Sequence, residues 1–371
     1  MKLLIDLSPI KSGGGAQLAL NFIEFIRHES NLDVPLMILV SDKFPFLDRL
    51  DGIDYLITPS STLRRLAFEN LALKRLVKEK FITHIYTFFG AGLPKIQGVR
   101  QVVGVAYPII CNDDSVYWKN LPLKNYISKK IQNTFRKFRL RKADALIFET
   151  EVMRNRCTKV LNYEKNKAFI IPPTPTKFLT ACQKGSEDSH NVRFLFLSGL
   201  DRHKNLWRLV EVARKLDEQY ETPPCQFLVS VEKHNFLNTY QPEIHSSDLN
   251  IIDHYFEFVG HVRQNEITSI YAKTDVVANI SDLESFSNNY MEAWLTKKPI
   301  FASDRDFSKS ICGDSAIYVE PHDINSIVNG INQFIGGDVD THALIAEGEK
   351  RLEQLPSLDQ RFAILRSIIF Q

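Results

Sequence analysis

Residues 281–299 read SDLESFSNNYMEAWLTKKP. They follow a short apolar run, residues 275–280 (DVVANI), that has the look of a buried strand ending in a turn. The segment SFSNN then leads into MEAWL, whose residues favour helix. Ser287 or Asn288 is a natural N-cap, because a short polar side chain accepts the N–H groups that a first helical turn leaves unpaired. Those N–H groups and the positive end of the helix dipole attract anions. Glu284 stands before the cap and Glu292 inside the helix. The stretch suits a phosphorylated, hydroxyl-rich ligand, with phosphate at the helix start and sugar hydroxyls donating to the carboxylates.

Outward from this stretch, strands and helices alternate in two rounds. In the first half, residues 3–7, 35–40, 55–57, 84–88, 101–105 and 145–148 read as strands, with 16–27 and 62–80 as helices. A last strand and a Pro-rich break lie at 169–175 (FIIPPTP), and 180–191 (TACQKGSEDSHN) is a polar linker. The pattern restarts with strands at 192–198, 226–231 and 256–260 and helices at 206–220 and 266–272. Beyond the central stretch come strands IFAS (300–303) and 316–319, a helix at 323–334 and a terminal helix at 357–370, with Phe362, Leu365, Ile368 and Ile369 on one side. Such alternation predicts α/β domains built on mostly parallel, doubly wound sheets. The expected division is 1–175 and 190–355, with a C-terminal helix over 356–371.

Bulk properties narrow the class. At 44% hydrophobic and 24% charged residues, the 371-residue chain has the composition of a globular protein with room for two cores. No apolar run approaches the roughly 20 residues of a membrane span. The opening MKLLIDLSP is broken by Asp6 and Pro9 and is too short for a signal peptide, so a cytoplasmic protein is expected. Cysteines 111, 157, 182, 225 and 312 show no metal or redox spacing and read as reduced thiols. Charge is uneven: residues 1–172 hold 27 Lys and Arg against 16 Asp and Glu, and residues 173–371 hold 19 against 28. The basic half is densest at 117–142 (YWKNLPLKNYISKKIQNTFRKFRLRK), with nine Lys and Arg and no acid. Ile127, Ile131, Phe135 and Phe138 recur there at helical spacing, with Lys129, Lys130, Arg136, Lys137 and Arg141 on the remaining surface. A basic amphipathic helix of this kind suits an anionic membrane surface, whereas no nucleic-acid motif accompanies the charge.

Two loops carry further candidates. After the first strand, residues 8–15 (SPIKSGGG) bring backbone close to a ligand or make a tight turn; Leu18 at the third glycine position excludes the dinucleotide fingerprint. After the strand at 192–198, Arg202 and Lys204 lie in the loop GLDRHKN, on the usual ligand-binding edge of an open α/β sheet. Breaking a sugar–diphosphate bond needs preorganised positive charge at the leaving group, which these side chains can supply.

Glu284, seven residues and Glu292 match the E-x7-E motif of the family 4 glycosyltransferases, retaining enzymes of the GT-B fold, and Phe286, Glu292–Ala293, Lys298–Pro299 and the strand IFAS resemble the motif's surroundings. Lys204–Asn205 resembles the family's basic loop, with Leu200 where many members carry Arg. The resemblance implies two Rossmann-like domains facing a cleft, with the terminal helix crossing back onto the first. It implies that Glu284, Lys204 and Arg202 carry the chemistry, and that Glu292, Ser287, Asn288, Phe286, Gly14, Gly15, Asn205 and Val262 bind the donor. It implies a nucleotide-sugar donor, a glycan or lipid-linked glycan acceptor of polysaccharide or lipopolysaccharide assembly, and no metal or other cofactor; the basic first half and its amphipathic segment 117–142 add the expectation of peripheral work at the inner leaflet. Ala106 or Tyr107 stands where many members have an acceptor-side His; Asp113 or Asp114 is a substitute. Asp338-Val339-Asp340 has the spacing of a metal signature but lies in a late loop, so no metal site is expected. The alternatives are another GT-B enzyme, such as a nucleotide-sugar epimerase, and a silent subunit that binds sugar nucleotide.

Overall fold

The computed structural model describes residues 1–11, 14–28, 34–113, 115–119, 121–175, 179, 191–263 and 266–371. The chain forms two compact units. Unit 1 comprises Met1–Asp113, Pro122–Pro172 and Leu358–Gln371; unit 2 comprises Asp114–Leu121 and Pro173–Ser357.

Unit 1 is built on seven strands: β1 (Leu3–Asp6), β2 (Leu36–Ser41), β3 (Tyr55–Thr58), β4 (His84–Thr87), β5 (Arg100–Val105), β6 (Ala145–Phe148) and β7 (Ala168–Ile170). Their order is β3-β2-β1-β4-β5-β6-β7, and every paired neighbour is parallel. Strand β1 (LLID) is buried on both faces, which is why it reads as a continuous apolar run without alternation. The helix Gly14–His28 lays Ala16, Ala19, Phe22 and Ile23 on the sheet. It begins at Gly14, so Gly14 and Gly15 are helical and belong to no tight turn; Gly13 lies outside the described residues.

The closing helix Leu358–Phe370 packs on this same sheet and contributes Leu365, Ile368 and Ile369 to its core. The Phe362 ring stacks on Phe25 at 3.8 Å. Arg100 donates to the carbonyls of Ile368 at 3.0 Å and Ile369 at 3.1 Å, satisfying groups that a helix end leaves open. Ile368→Ala is expected to destabilise the protein by about 2–5 kcal/mol, because the buried methylenes leave a cavity. Urea unfolding checks this; a loss under about 0.5 kcal/mol, the range of surface substitutions, would remove the helix from the core.

Residues 62–80 do not form one helix. An α-turn segment (Thr62–Ala67) passes through a π-helical turn (Phe68–Ala72) into a second α segment (Leu73–Glu79). The π turn holds Glu69 buried, where it accepts from Arg65 Nε at 2.8 Å and from the Arg139 guanidinium. Arg139 lies seventy residues downstream, beyond the reach of any local pattern.

Unit 2 holds β8 (Val192–Phe196), β9 (Cys225–Val229), β10 (Phe256–Phe258), β11 (Val276–Asn279), β12 (Ile300–Ser303) and β13 (Ala316–Val319). Their order is β10-β9-β8-β11-β12-β13, all parallel, winding outward in both directions from β8 as in a dinucleotide-binding sheet. Phe194, Phe227 and Phe301 fill one face, and Tyr290, Met291 and Trp294 the other. Gly348 lets the helix Thr341–Glu353 come close: a Cβ there would sit 2.4 Å from Trp294 Cδ1. Residues 114–121, expected in the first domain, belong to unit 2, where Tyr117 and Trp118 are buried and the Tyr117 ring lies 5.7 Å from His203. Cys111, Cys157, Cys225 and Cys312 are buried free thiols; Cys182 is outside the described residues.

Candidate active site

In a doubly wound sheet the loops leaving the central strand and its cross-over neighbour diverge, opening a crevice at their carboxyl ends. In unit 2 these strands are β8 and β11. The β8 loop carries a 3₁₀ turn, Arg202–Lys204, and then Asn205 with φ +58°, a left-handed conformation that Asn tolerates. The β11 loop carries residues 280–287 and enters the helix Asn288–Leu295.

Side-chain amides stitch the two loops together. Asn205 Nδ2 donates to the Ile280 carbonyl at 2.9 Å, and Asn289 Nδ2 to the Leu197 carbonyl at 2.9 Å. Asn279 Nδ2 donates to Ser287 Oγ at 2.9 Å. Asn205, expected to contact the donor, therefore has its amide committed to the scaffold. Ser287 does stand at the N-cap position, but its side chain makes no capping hydrogen bond and takes the Asn279 donor instead. Local sequence could not show this, because Asn279 sits on the strand rather than in the first turn.

The stitched loops bring Lys204 and Glu284 together, Nζ to Oε1 at 2.5 Å, with both side chains largely shielded from water. Glu292 projects from the helix toward Tyr271, whose buried hydroxyl donates to Oε2 at 2.7 Å. Burial raises the Glu292 carboxyl above its usual range, and the Tyr271 hydrogen bond only partly opposes this. Phe286 packs against the apolar cluster around Tyr290 and Trp294. Asn288 opens the helix.

Arg202 does not join the Lys204–Glu284 pair. Its guanidinium makes two bonds to Glu243, at 2.5 Å and 3.3 Å. Val262 follows β10, two strands from β8, in a turn that begins at Gly260 with φ +69°. Gly14 and Gly15 lie in unit 1.

Several groups of the site carry no sequence signal. Asp282, two residues before Glu284, accepts from His322 Nε2 at 2.5 Å and pairs with Arg305 at 3.5 Å. Arg305 also holds Glu320 at 2.6 Å, so strand ends β11, β12 and β13 are joined by charge. His203 is shielded, and burial together with Lys204 lowers its pKa, so it is neutral at pH 7. Apart from this site, Asp6 ends β1 of unit 1 fully buried; it accepts from the Ser8 backbone at 3.0 Å and from Thr87 on β4 at 3.2 Å, and burial raises its pKa.

The candidates for an acceptor-side acid are distributed otherwise. Asp113 pairs with Lys137 at 2.5 Å and Lys130 at 3.6 Å, and Asp114 is outside the described residues. Tyr107 is exposed, with the Arg136 guanidinium 4.3 Å from its ring centre. Asp340 of the D-x-D caps the helix Thr341–Glu353, accepting from Ala343 N at 3.0 Å. Among the described residues, no three His, Cys, Asp or Glu side chains are grouped to hold a metal ion.

Residues 180–351 match the family model of the glycosyl transferases group 1. Solved structures agree over the whole chain. Anabaena Alr3699/HepE in complex with UDP-glucose superposes with a TM-score of 0.71 at 14% identity, covering 99% of this chain and 100% of that one. The two doubly wound sheets and this likeness decide the architecture. The fold is GT-B. The sucrose-phosphate synthase of Thermosynechococcus elongatus matches with a TM-score of 0.72 at 13% identity over 99% and 98% of the two chains. The lipopolysaccharide outer core galactosyltransferase WaaB matches at 0.67 and 13% over 100% and 99%. No curated protein matches the chain in sequence. The match of residues 180–351 to a glycosyl transferase model supports a transferase.

Proposed function

We propose that this chain transfers a hexose-type sugar, with retention of configuration, from a nucleoside-diphosphate sugar to a glycan or lipid-linked glycan. The observation that carries this is the Lys204–Glu284 pair at the strand-order reversal, beside the half-buried Glu292 held by Tyr271. Lys204 and the start of the helix Asn288–Leu295 offer positive potential to a diphosphate. Glu292 accepts from ribose hydroxyls through the oxygen that Tyr271 leaves open, and Glu284 meets the donor sugar. In the reaction the bond from the anomeric carbon to the diphosphate oxygen breaks and its electron pair stays with the diphosphate. The acceptor hydroxyl oxygen bonds that carbon on the same face, and its proton leaves with the diphosphate. HepE, as solved with UDP and glucose, binds ligands of this class. The expected acceptor is that of polysaccharide or lipopolysaccharide assembly, reached from the cytoplasmic side at an anionic membrane surface through residues 117–142. No described helix is long and apolar enough to cross a membrane.

The test is a panel of nucleoside-diphosphate sugars. The correct donor at about a hundred times its Kd should stabilise the fold by about 2.7 kcal/mol, seen as a raised melting temperature. Turnover should survive excess EDTA, since Lys204 and the helix start supply the charge that a metal otherwise brings. Loss of activity in EDTA, restored by manganese, would overturn the metal-free reading. A sugar-nucleotide-binding subunit without turnover is the second reading, favoured by Ala106 or Tyr107 standing where many family members have His; it predicts the thermal shift with no product. Release of free sugar or an isomerised donor, with no glycan product, would identify another GT-B enzyme.

A further inference from the structure

The basic helix Leu123–Leu140 is mounted inside out. Part of its polar side, Lys129, Lys130, Asn133, Arg136, Lys137 and Arg139, is turned toward unit 1, while Asn125, Ser128, Gln132 and Thr134 stay exposed. Asn133 Nδ2 donates to the Ile109 carbonyl at 3.1 Å, Lys137 pairs with Asp113 at 2.5 Å, and Arg139 reaches the Gly92 carbonyl at 3.1 Å. The cations expected on the outer surface, Lys129, Lys130, Arg136 and Lys137, are thus half-buried. The apolar stripe faces solvent instead: Leu123, Ile127, Ile131, Phe135 and Phe138 are 74, 50, 66, 44 and 51% exposed. Successive steps of four and three residues keep them on one face, over about 22 Å of helix at 1.5 Å per residue. A helix at a protein surface ordinarily buries such a stripe, and a contiguous exposed one marks a docking surface.

Charge selects the occupant. Lys124, Arg141 and Lys142 are exposed at the margins of the stripe. The Lys142 ammonium lies 4.1 Å from the Phe138 ring centre and the Arg139 guanidinium 4.3 Å from that of Phe135. Residues 117–142 contain no acid to balance them. An apolar strip whose exposed charged flanking residues in this segment are all cations, beside the neutral Asn125, Ser128, Gln132 and Thr134, complements a surface that is apolar within and anionic at its edge. A second copy of the chain would instead bring like charges together around a two-fold axis.

We infer that Leu123, Ile127, Ile131, Phe135 and Phe138 insert into an anionic lipid bilayer, with the helix lying in the interface plane and Lys124, Arg141 and Lys142 among the headgroups. This rests on the proposed membrane-borne acceptor for its purpose, and its test is independent of the transfer chemistry. The full chain should sediment with phosphatidylglycerol-containing vesicles, not with pure phosphatidylcholine, and less as salt rises. The triple variant Ile127→Ser, Ile131→Ser, Phe135→Ser should partition at least about tenfold less, having lost most of the inserted area. Lys124→Gln with Lys142→Gln should weaken binding about thirtyfold at low salt and flatten its salt dependence, Arg141 being left in place because its Nε donates to the Leu161 carbonyl at 3.0 Å. Both variants change solvent-exposed positions and should keep the melting temperature and its rise with donor. Equal sedimentation of wild type and the Ser variant overturns the inference, as does absence of binding to anionic vesicles at low salt. A wild-type dimer that the Ser variant makes monomeric also overturns it, in favour of a copy-to-copy interface. Vesicle binding that persists while every nucleotide sugar fails to shift the melting temperature leaves the docking surface standing and removes the transferase reading.

Discussion

Lys204→Met is expected to lower kcat/KM by about a hundred- to a thousandfold, the range seen when one preorganised charge-stabilising donor is removed from an active site. The loss should fall mainly on kcat, because the diphosphate gains charge in the transition state. Glu284→Gln should also lower turnover, by about ten- to a hundredfold. The two effects will not add. Lys204 and Glu284 are in contact at 2.5 Å and partly buried, so either single substitution leaves its partner shielded and without a counter-charge. The double variant should be no more than about threefold slower than the worse single one, as for residues that act as a unit. Initial rates over a donor series on folded variants decide it. A Lys204→Met enzyme within about threefold of wild type would show that the leaving group is stabilised elsewhere.

Glu292→Gln should separate function from stability. As the proposed ribose acceptor, Glu292 contributes a charged hydrogen bond, so nucleotide affinity should fall about ten- to a hundredfold. Stability should move the other way at neutral pH. Burial raises the folded-state pKa of Glu292 above its unfolded value. A carboxyl raised in this way favours the fold while protonated, below its unfolded pKa near 4.3, and loses that contribution as pH rises through the folded value. At pH 7 the shielded carboxylate is therefore a net cost that Gln removes, and at pH 4 it is not. The melting temperature of Glu292→Gln relative to wild type should rise between pH 4 and pH 7. An unchanged difference across that range would show that Glu292 is as well solvated in the fold as in the unfolded chain.

Much of the architecture was legible along the chain, because a buried parallel strand is a continuous apolar run and its turns are punctuated by Gly, Ser and Asn. The run 275–280, the loops at 199–205 and 281–287 and the helix after Ser287 all lie where their residue types put them. From those strands and loops it followed that Lys204, Glu284 and Glu292 share one sheet edge. Short-range patterning failed where the partner is distant. The π turn at Phe68–Ala72 holds Glu69 buried between Arg65 and Arg139, and nothing in residues 62–80 announces Arg139. The closing helix shows an apolar side in sequence, but only the folded chain shows that the side covers β4 and β5 of unit 1.

The division is sharpest within single residues. Sequence determined that Asn205, Ser287 and Arg202 stand at the mouth of an α/β sheet, since position along a strand–loop–helix unit is a local property. Tertiary structure decided what their polar atoms do: Asn205 braces Ile280, Ser287 receives Asn279, and Arg202 closes on Glu243. The same holds for residues 123–140, where helical spacing shows an apolar stripe without showing which way it points. That direction depends on what the opposite face meets, and here Asp113, the Ile109 carbonyl and Glu69 hold Lys137, Asn133 and Arg139 on the side turned toward unit 1, which leaves the apolar side to the solvent.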